Sequence, residues 1–215
     1  MKLVINSVIQ PFSLTLLTEA GRFYEACLSD GMIAETIVEK LHALCDETNC
    51  SLNQLSHLIH INGPGPYTSL RVGVCVVKTI AQLYDIPIIS ISSLKTLISP
   101  TLPQGALLLS LMPARKGEVN LQLFSIQDSL LTEISECMLL SIDELTVFCS
   151  QFKEQVYVVL PKLLESNVNL ELPMVRCHVS SLDPRLLLEE PSFYNEDTLN
   201  WRDLSVTYSP IPVVS

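Results

Sequence analysis

Apolar and polar residues along the first sixty positions predict three strands, then a helix and a fourth strand. The strands are expected at residues 2–7, 12–17, 22–28 and 57–61. In residues 31–46 the apolar side chains recur at helical spacing and the charged ones take the other side. This pattern predicts an amphipathic helix with Asp30 as its N-cap and Asn49 beyond its end.

A run of glycine and proline residues follows the fourth strand and leads into the most apolar helix of the chain. Residues 62–68 are Asn-Gly-Pro-Gly-Pro-Tyr-Thr, and residues 69–84 contain no proline and one glycine. A helix is therefore predicted there, with Thr68 or Ser69 as its N-cap. Apolar residues lie nearly all the way round this helix, so both of its sides need covering. Burial within the chain's own fold and contact with a second protein both meet that need.

The rest of the chain predicts further strands and helices on both sides of a segment rich in chain breakers. Strands are expected at residues 86–91, 106–112, 118–126, 131–139, 156–160 and 206–208, and helices at 92–98, 141–152 and 184–190. The segment 99–105 contains two prolines and a glycine, and we interpret it as a linker between an N-terminal subdomain (1–98) and a C-terminal subdomain (106–215). The order of the elements predicts an α/β fold with mixed sheets and flanking helices.

Composition and charge narrow the class of protein. The chain has 215 residues, of which 48% are hydrophobic and 17% charged, and its formal charge is −10. A negative chain is not expected to bind nucleic acid by itself, because phosphate contacts need clustered Lys and Arg. No apolar run approaches the ~20 residues that span a bilayer. The seven cysteines form no Cys-x-x-Cys pair, which is typical of reduced thiols in a cytoplasmic protein.

The glycine-rich turn is the strongest candidate for a binding site. Such a turn at a helix N-terminus presents backbone N–H groups and the positive end of the helix dipole to an anion. The residues that would hold the anion are Gly63, Gly65, Thr68 and Arg71. The physical signs alone favour the other alternative, a tight strand-to-helix turn in which the glycines only relieve backbone crowding. Arg71 equally fits an ion pair with an acidic residue of a partner.

The residue types that catalysis requires form no recognisable set in this chain. The Walker phosphate loop is missing, and so is the Gly-x-Ser-x-Gly nucleophile motif. His57 and His60 lie three apart on a predicted strand, where odd spacing points two side chains to opposite faces. We therefore predict no catalytic residue, no metal site and no cofactor.

Two segments resemble the signatures of the TsaB (YeaZ) family, non-catalytic relatives of the threonylcarbamoyl transferase TsaD. Residues 63–74 resemble the family's Gly-Pro-Gly-Ser-Phe-Thr-Gly-Leu-Arg-Ile-Gly-Val, and residues 114–119 resemble its Asp-Ala-Arg-Lys-Gly-Glu-Val-Tyr segment. This chain departs from the family pattern at Pro66, Ser69 and Pro113. Asn6 stands where related chains usually carry an Asp. An amide in place of that carboxylate removes charge that Mg²⁺ binding needs.

The resemblance implies two subdomains of the actin/Hsp70/sugar-kinase type and a subunit without catalytic activity of its own. It implies that the chain supports a TsaD-like enzyme in making N6-threonylcarbamoyladenosine (t6A) on tRNA, and that the partners pack through the helices predicted at 31–46 and 69–84. A TsaE-like ATPase and a homodimer of the chain alone are further associations to test. The expected partner-binding residues are Met32, Ile33, Ile37, Leu41, Leu70, Arg71, Val74, Val77, Lys78 and Ala81.

A second hypothesis is a nucleotide- or phosphate-binding protein with residual kinase-like activity. It would use the turn at Gly63 and Gly65 together with Arg71. Nucleotide binding by the isolated chain distinguishes it from the first hypothesis, in which the chain acts through a partner.

Overall fold

The computed structural model describes residues 1–29, 31–166, 168, 170 and 174–210, and the chain folds into two compact units. Among the described residues, unit 1 consists of 1–92, 183–191 and 196–207, and unit 2 consists of 93–182, 192–195 and 208–210. The predicted division at 99–105 stays a prediction. No helix in the described part of the chain is both long and apolar enough to cross a membrane.

The elements follow one another as strands and helices of ordinary length. The strands are β1 (Lys2–Asn6), β2 (Ser13–Leu17), β3 (Phe23–Cys27), β4 (His57–Asn62), β5 (Ile88–Ser92), β6 (Leu107–Pro113), β7 (Glu118–Gln127), β8 (Leu130–Glu133), β9 (Met138–Ser141), β10 (Val156–Pro161), β11 (Val175–Ser180) and β12 (Thr198–Leu199). The α-helices are α1 (Ile33–Thr48), α2 (Tyr67–Tyr84), α3 (Ser93–Thr96), α4 (Ile142–Ser150) and α5 (Pro184–Glu189). Short 3₁₀-helices occupy Leu52–Gln54, Lys162–Leu164 and Pro191–Tyr194.

Unit 1 contains a mixed sheet with helices on both faces. Its strand order is β12-β5-β4-β1-β2-β3, with β1, β4 and β5 parallel to one another. Helix α1 contacts β2 and β3, α2 contacts β1 and β4, and the two helices contact each other, so they lie side by side. Leu3 and Ile5 of β1 pack in the core beneath them. Lys2 has the opposite orientation on β1 and donates to the carbonyl of Leu188 on α5, so α5 covers the other face.

Unit 2 contains the second mixed sheet, in the order β11-β10-β6-β7-β8, and β9 also pairs with β7. Strands β6, β10 and β11 are parallel, whereas β7 is antiparallel to β6, β8 and β9. Leu109 and Val158 on one face pack with Leu145 of α4. Because both sheets are mixed and carry flanking helices, the predicted α/β fold is confirmed.

The predicted strand at 131–139 is wrong, because the chain forms two strands there, β8 and β9. The N–H groups of Ile134 and Ser135 both donate to the carbonyl of Leu123, at 2.9 and 3.3 Å. Two residues therefore oppose one on β7, and the ladder breaks as it does at a β-bulge.

Strand formation near the C-terminus also differs from the prediction. Residues 206–208 form no strand; the pairing with β5 is made instead by β12, through Thr198 and Leu199. Strand β11 was not predicted from the pattern, and it pairs in parallel with β10.

The predicted N-cap of α2 is wrong, because the helix begins two residues earlier than expected. Pro66 occupies the N-cap position, and its carbonyl accepts the first helical hydrogen bond from the N–H of Leu70 at 3.0 Å. Thr68 and Ser69 therefore lie in the first turn. The predicted cap of α1, Asp30, lies outside the described residues.

Candidate functional site

The glycines of the turn between β4 and α2 lie against other parts of unit 1. A Cβ atom at Gly63 would overlap the carbonyl oxygen of Thr207, and one at Gly65 would overlap the side chain of Val8. Any larger residue would force the neighbouring backbone or side chain to move. These close approaches account for both glycines without a bound anion.

Asn62, the last residue of β4, holds the segment that covers this turn. Its Oδ1 accepts from the N–H of Gly63 at 2.8 Å and from that of Thr207 at 3.0 Å. Its Nδ2 donates to the carbonyl of Ser205 at 2.8 Å and to Oγ of Ser90 at 3.3 Å. The Asn62 amide thus forms the two backbone hydrogen bonds, to the Ser205 carbonyl and from the Thr207 N–H, that a neighbouring strand would otherwise form.

The predicted anion-binding residues are not brought together at one point. Gly63 is buried and its N–H donates to Asn62, whereas Arg71 and Thr68 are exposed on α2. Nη1 of Arg71 donates to the Tyr67 hydroxyl at 3.2 Å, and its guanidinium lies 5.2 Å from the centroid of that ring. The prediction of an anion at this turn stays a prediction.

A polar pocket of about 260 Å³ opens in unit 1 at the carboxyl ends of β4 and β5. The lining residues are Asn62, Ser90, Ser92, Glu196, Leu199, Asp203, Leu204, Ser205 and Thr207. They include two carboxylates and no Lys or Arg. Two negative charges repel a phosphate at this position, which disfavours the nucleotide-binding hypothesis for this pocket.

Asn6 stands where the family resemblance leads us to expect an Asp. Both the nitrogen and the oxygen of its side-chain amide are hydrogen-bonded within a tight turn. Its Nδ2 donates to the carbonyls of Ile9 and Pro11 at 2.7 and 3.0 Å. Its Oδ1 accepts from the N–H groups of Val8 and Ile9 at 3.2 and 3.0 Å. An ionised Asp has no N–H to donate, so the amide is the group that this turn requires. Asn6 serves the local structure of the turn.

The two histidines of β4 have different surroundings. His57 is half-buried; burial lowers its pKa, and the charges of Lys2 and the N-terminus lower it further. His60 is completely buried near Gly73, and burial lowers its pKa to about 4 against a smaller opposite effect of the Ile5 backbone. His60 is therefore neutral at physiological pH. The described residues contain no cluster of three His, Cys, Asp or Glu suited to a metal ion.

Most of the predicted partner-binding residues point into unit 1. The buried ones are Ile33, Ile37, Leu41, Leu70, Val74, Val77 and Ala81. Met32 and Arg71 are exposed and Lys78 is half-exposed, so three of the ten lie at the outer surface of the helices. Whether these residues bind a partner stays a prediction.

The outer surface of α1 and α2 carries five large exposed apolar side chains, of which only Met32 was among the predicted partner-binding residues. We call the whole solvent-exposed side of the two helices the outer helix face; its large apolar side chains are Met32, Val38, Tyr67, Leu83 and Tyr84, which are 53%, 62%, 59%, 69% and 43% exposed. Val38 lies between Glu35, Glu39 and His42 on the charged side of α1. An apolar residue inside a charged stripe was the signal that could have identified it.

A family model described as "TsaD: tRNA N6-adenosine threonylcarbamoyltransferase" matches residues 33–181. Over 94 residues the chain is 34% identical to "tRNA threonylcarbamoyladenosine biosynthesis protein TsaB" of Bacillus subtilis (strain 168). That match covers 44% of this chain and 41% of the relative, so it spans about two fifths of the relative's length.

Two solved structures from Pseudomonas aeruginosa have a similar fold. One, an uncharacterized protein with similarity to peptidase YEAZ, has a TM-score of 0.73 at 17% identity and covers 97% of this chain and 99% of its own. The other, YeaZ, has a TM-score of 0.72 at 18% identity and covers 96% and 98%. At these identities the likeness concerns the fold, and it agrees with the two-subdomain architecture expected from the sequence.

Proposed function

The chain belongs to the family described as TsaD: tRNA N6-adenosine threonylcarbamoyltransferase, and from that premise we propose that it is a non-catalytic subunit acting in t6A biosynthesis. In this role it supports a TsaD-like enzyme by binding to it. The resemblance to TsaB that the motif at 63–74 indicated is confirmed by the similarity to the B. subtilis protein. The activity, the substrate and the partner remain part of the proposal.

Three features of unit 1 disfavour a nucleotide site, and they support an accessory role. The amide of Asn6 is fully engaged in its own turn. Gly63 is covered by Thr207, and the nearby pocket is lined by Glu196 and Asp203 without a basic side chain. Asn6 offers no carboxylate for Mg²⁺, Thr207 leaves no space for a phosphate at Gly63, and the pocket has no Lys or Arg to pair with phosphate charge.

The observation that carries the proposal is the outer helix face. Among the eleven large hydrophobic side chains exposed in the described residues, five belong to this face. Burying a fully exposed side chain of this kind contributes about 1.5–3 kcal/mol, and these side chains are 43–69% exposed, so covering the rest of each contributes about half of that and covering several supports an interface. The acidic residues next to Val38 are Glu35 and Glu39, so the matching surface of the partner is expected to carry Lys or Arg.

The experiment is reconstitution with the TsaD-like protein of the same organism. We expect the two purified proteins to form a 1:1 complex by size exclusion with light scattering, and t6A formation on tRNA to require both. Binding of ATP by the isolated chain, measured by calorimetry, would instead favour the nucleotide-binding hypothesis. Mass measured for the chain alone tests the homodimer, and addition of a TsaE-like ATPase tests a third subunit.

A cytoplasmic location is part of the proposal and agrees with the free state of all seven cysteines.

A further inference from the structure

The end of α1 brings two cysteines, Cys45 and Cys50, next to each other. Asn49 adopts the left-handed conformation, with φ 51° and ψ 38°, and its N–H donates to the carbonyl of Asp46 at 3.2 Å. The N–H of Cys50 donates to the carbonyl of Cys45 at 3.0 Å. These two bonds form a Schellman motif, in which the side chains of the two residues joined by the outer bond are commonly in contact.

The same hydrogen bond limits the distance between the two residues. With standard bond lengths, an N–H···O contact of this length keeps the Cα atoms of Cys45 and Cys50 within about 7 Å. Disulfides join Cα atoms that are about 4.4–6.8 Å apart, so the backbone already holds the pair near the required separation. Both side chains are half-buried, which leaves them within reach of a small reagent.

The electrostatics of the pair agree with this proximity. Burial raises the pKa of the Cys45 thiol, and the nearby Cys50 thiolate and the Asp46 carboxylate raise it further. In the reduced structure the Cys50 thiol donates to the carbonyl of Thr48, with Sγ 3.4 Å from the oxygen, and this weak bond is the one that oxidation would break.

We propose that Cys45 and Cys50 form a dithiol site that a small-molecule disulfide, such as oxidised glutathione, converts to an intrachain disulfide. One cysteine thiolate attacks the external disulfide, whose S–S bond breaks and releases one thiol. The second cysteine then attacks the protein-bound sulfur of the mixed disulfide and releases the other thiol. Two electrons pass from the protein to the reagent, and the two cysteine protons go to the released thiols. Excess reduced thiol reverses the reaction. This inference does not depend on the proposed function.

The test uses the full-length native chain, incubated with oxidised glutathione and then alkylated with iodoacetamide. Trypsin is expected to release both cysteines on one peptide, residues 41–71, because Lys40 and Arg71 are consecutive cleavage sites. We expect this peptide to lose two hydrogens and to carry no alkyl group, and to regain two alkylation sites after reduction. Two glutathione adducts or two alkyl groups on this peptide, under conditions that oxidise other cysteines, would overturn the proposal.

Matched variants separate a preorganised pair from general thiol reactivity. Cys50→Ser is expected to abolish the internal disulfide and leave a glutathione adduct or a free thiol at Cys45. Cys27→Ser, which removes an exposed cysteine of β3, is expected to leave disulfide formation unchanged. The equilibrium with glutathione should favour the disulfide about tenfold more in the native chain than in urea, because the fold holds the pair together. An equilibrium constant for disulfide formation that is equal or smaller in the native chain than in urea would contradict preorganisation.

Discussion

Asn62 accepts a hydrogen bond from the backbone N–H of Thr207 at 3.0 Å, across 145 positions of sequence. Together with the bond from Asn62 Nδ2 to the carbonyl of Ser205, it holds the late segment of the chain over the glycine-rich turn. The two bonds explain how a segment with little strand structure of its own stays on the edge of unit 1. The contribution of this one amide can be measured directly.

Replacing Asn62 with Ala should loosen the late segment of unit 1. Several backbone groups lose a partner in a poorly solvated place, so the free energy of unfolding should fall by about 2 kcal/mol or more. The only tryptophan of the chain, Trp201, lies in this segment and packs against the core, so its fluorescence should shift toward the emission of a solvated indole. Asn53→Ala, at an exposed position, is the matched control. Unchanged emission and an unchanged urea midpoint would show that Asn62 does not hold the segment.

Replacing Asn6 with Asp should destabilise unit 1 in a pH-dependent manner. The new carboxylate would face the carbonyls of Ile9 and Pro11, which now accept from the amide. Burial and these oxygens raise the carboxyl pKa in the folded state, so the destabilisation grows as pH rises through about 4 toward neutrality. We expect a loss of about 2–4 kcal/mol at pH 7 in urea unfolding. Asn53→Asp should show no such dependence, and a stable Asn6→Asp protein at pH 7 would contradict the assigned hydrogen bonds.

Replacing Gly73 with Ala should destabilise the packing of α2 on the sheet. The added Cβ would overlap Oγ of Ser7 and lie 3.2 Å from Cε1 of His60. We expect a loss of about 1–3 kcal/mol, although Ala favours a helix over Gly by about 1 kcal/mol.

A second substitution identifies the cause of that loss. Oγ of Ser7 is buried and has no hydrogen-bond partner among the described residues, so Ser7→Ala alone should cost little. Combined with Gly73→Ala, it should recover part of the stability, since the overlapping oxygen is gone. Strict additivity of the two changes in urea unfolding would rule out the contact.

His60 should make the protein less stable as pH falls. Its pKa is about 4 in the folded state, below the 6.5 of an unperturbed histidine, so the unfolded chain binds the proton more readily. The unfolding free energy should therefore fall as pH drops through 6.5 and go on falling until about pH 4, by about 3 kcal/mol in total.

Two variants isolate the contribution of His60. His60→Asn should flatten the pH dependence of the unfolding free energy, while His57, whose pKa burial also lowers, remains in place. His57→Asn, at a half-buried position of the same strand, measures the part of the slope that the other lowered histidine pKa contributes. A pKa near 6.5 for His60, measured by NMR titration of the folded chain, would contradict the prediction.

Charged substitutions on the outer helix face should weaken binding to the proposed TsaD-like partner without unfolding the chain. Val38→Asp and Leu83→Asp place a charge at side chains that are 62% and 69% exposed. Each should raise the Kd by about tenfold or more, measured by calorimetry. Val147→Asp, at a 62% exposed position of α4, is the control. Wild-type affinity for both helix variants would remove this face from the interface.

Val77→Asp is expected to behave differently from these exposed substitutions. Val77 is completely buried on the inner side of α2. An unpaired carboxylate there should lower the free energy of unfolding by several kcal/mol and unfold unit 1. Loss of binding in that variant would report on folding. Circular dichroism of each variant distinguishes the two causes.

Local patterns were sufficient to predict the two long helices and most of the strands. Helices α1 and α2 begin and end within two residues of the predicted bounds, because 3.6-residue spacing of apolar side chains extends over four turns or more. The break between β8 and β9 was missed since it depends on which carbonyl of β7 receives the N–H groups of Ile134 and Ser135. The alternation of apolar and polar residues along one strand does not determine which carbonyl of the neighbouring strand accepts a given N–H group.

The orientation of α2 was harder to predict than its existence. Val72 and Val76 are half-buried at the side of the helix, while Val74 and Val77 are buried beneath it. A helix that is apolar on nearly every side does not reveal which side faces the sheet. The prediction therefore places inner residues such as Val74 and Val77 on the partner surface. The engagement of Asn62 with Thr207 was equally inaccessible, because nothing near either residue indicates a contact across such a separation.

Unit 1 is completed by residues 183–191 and 196–207, which carry α5, β12 and the core residue Leu204. During translation, the first sheet must therefore wait for the last sixth or so of the chain before its edge and its second face are closed. Until then the growing polypeptide exposes the face of β1 and β2 that α5 covers and the edge of β5 that pairs with β12. A ribosome stalled after residue 180 should accordingly hold a chain that binds chaperones, and release of the remaining residues should end that binding.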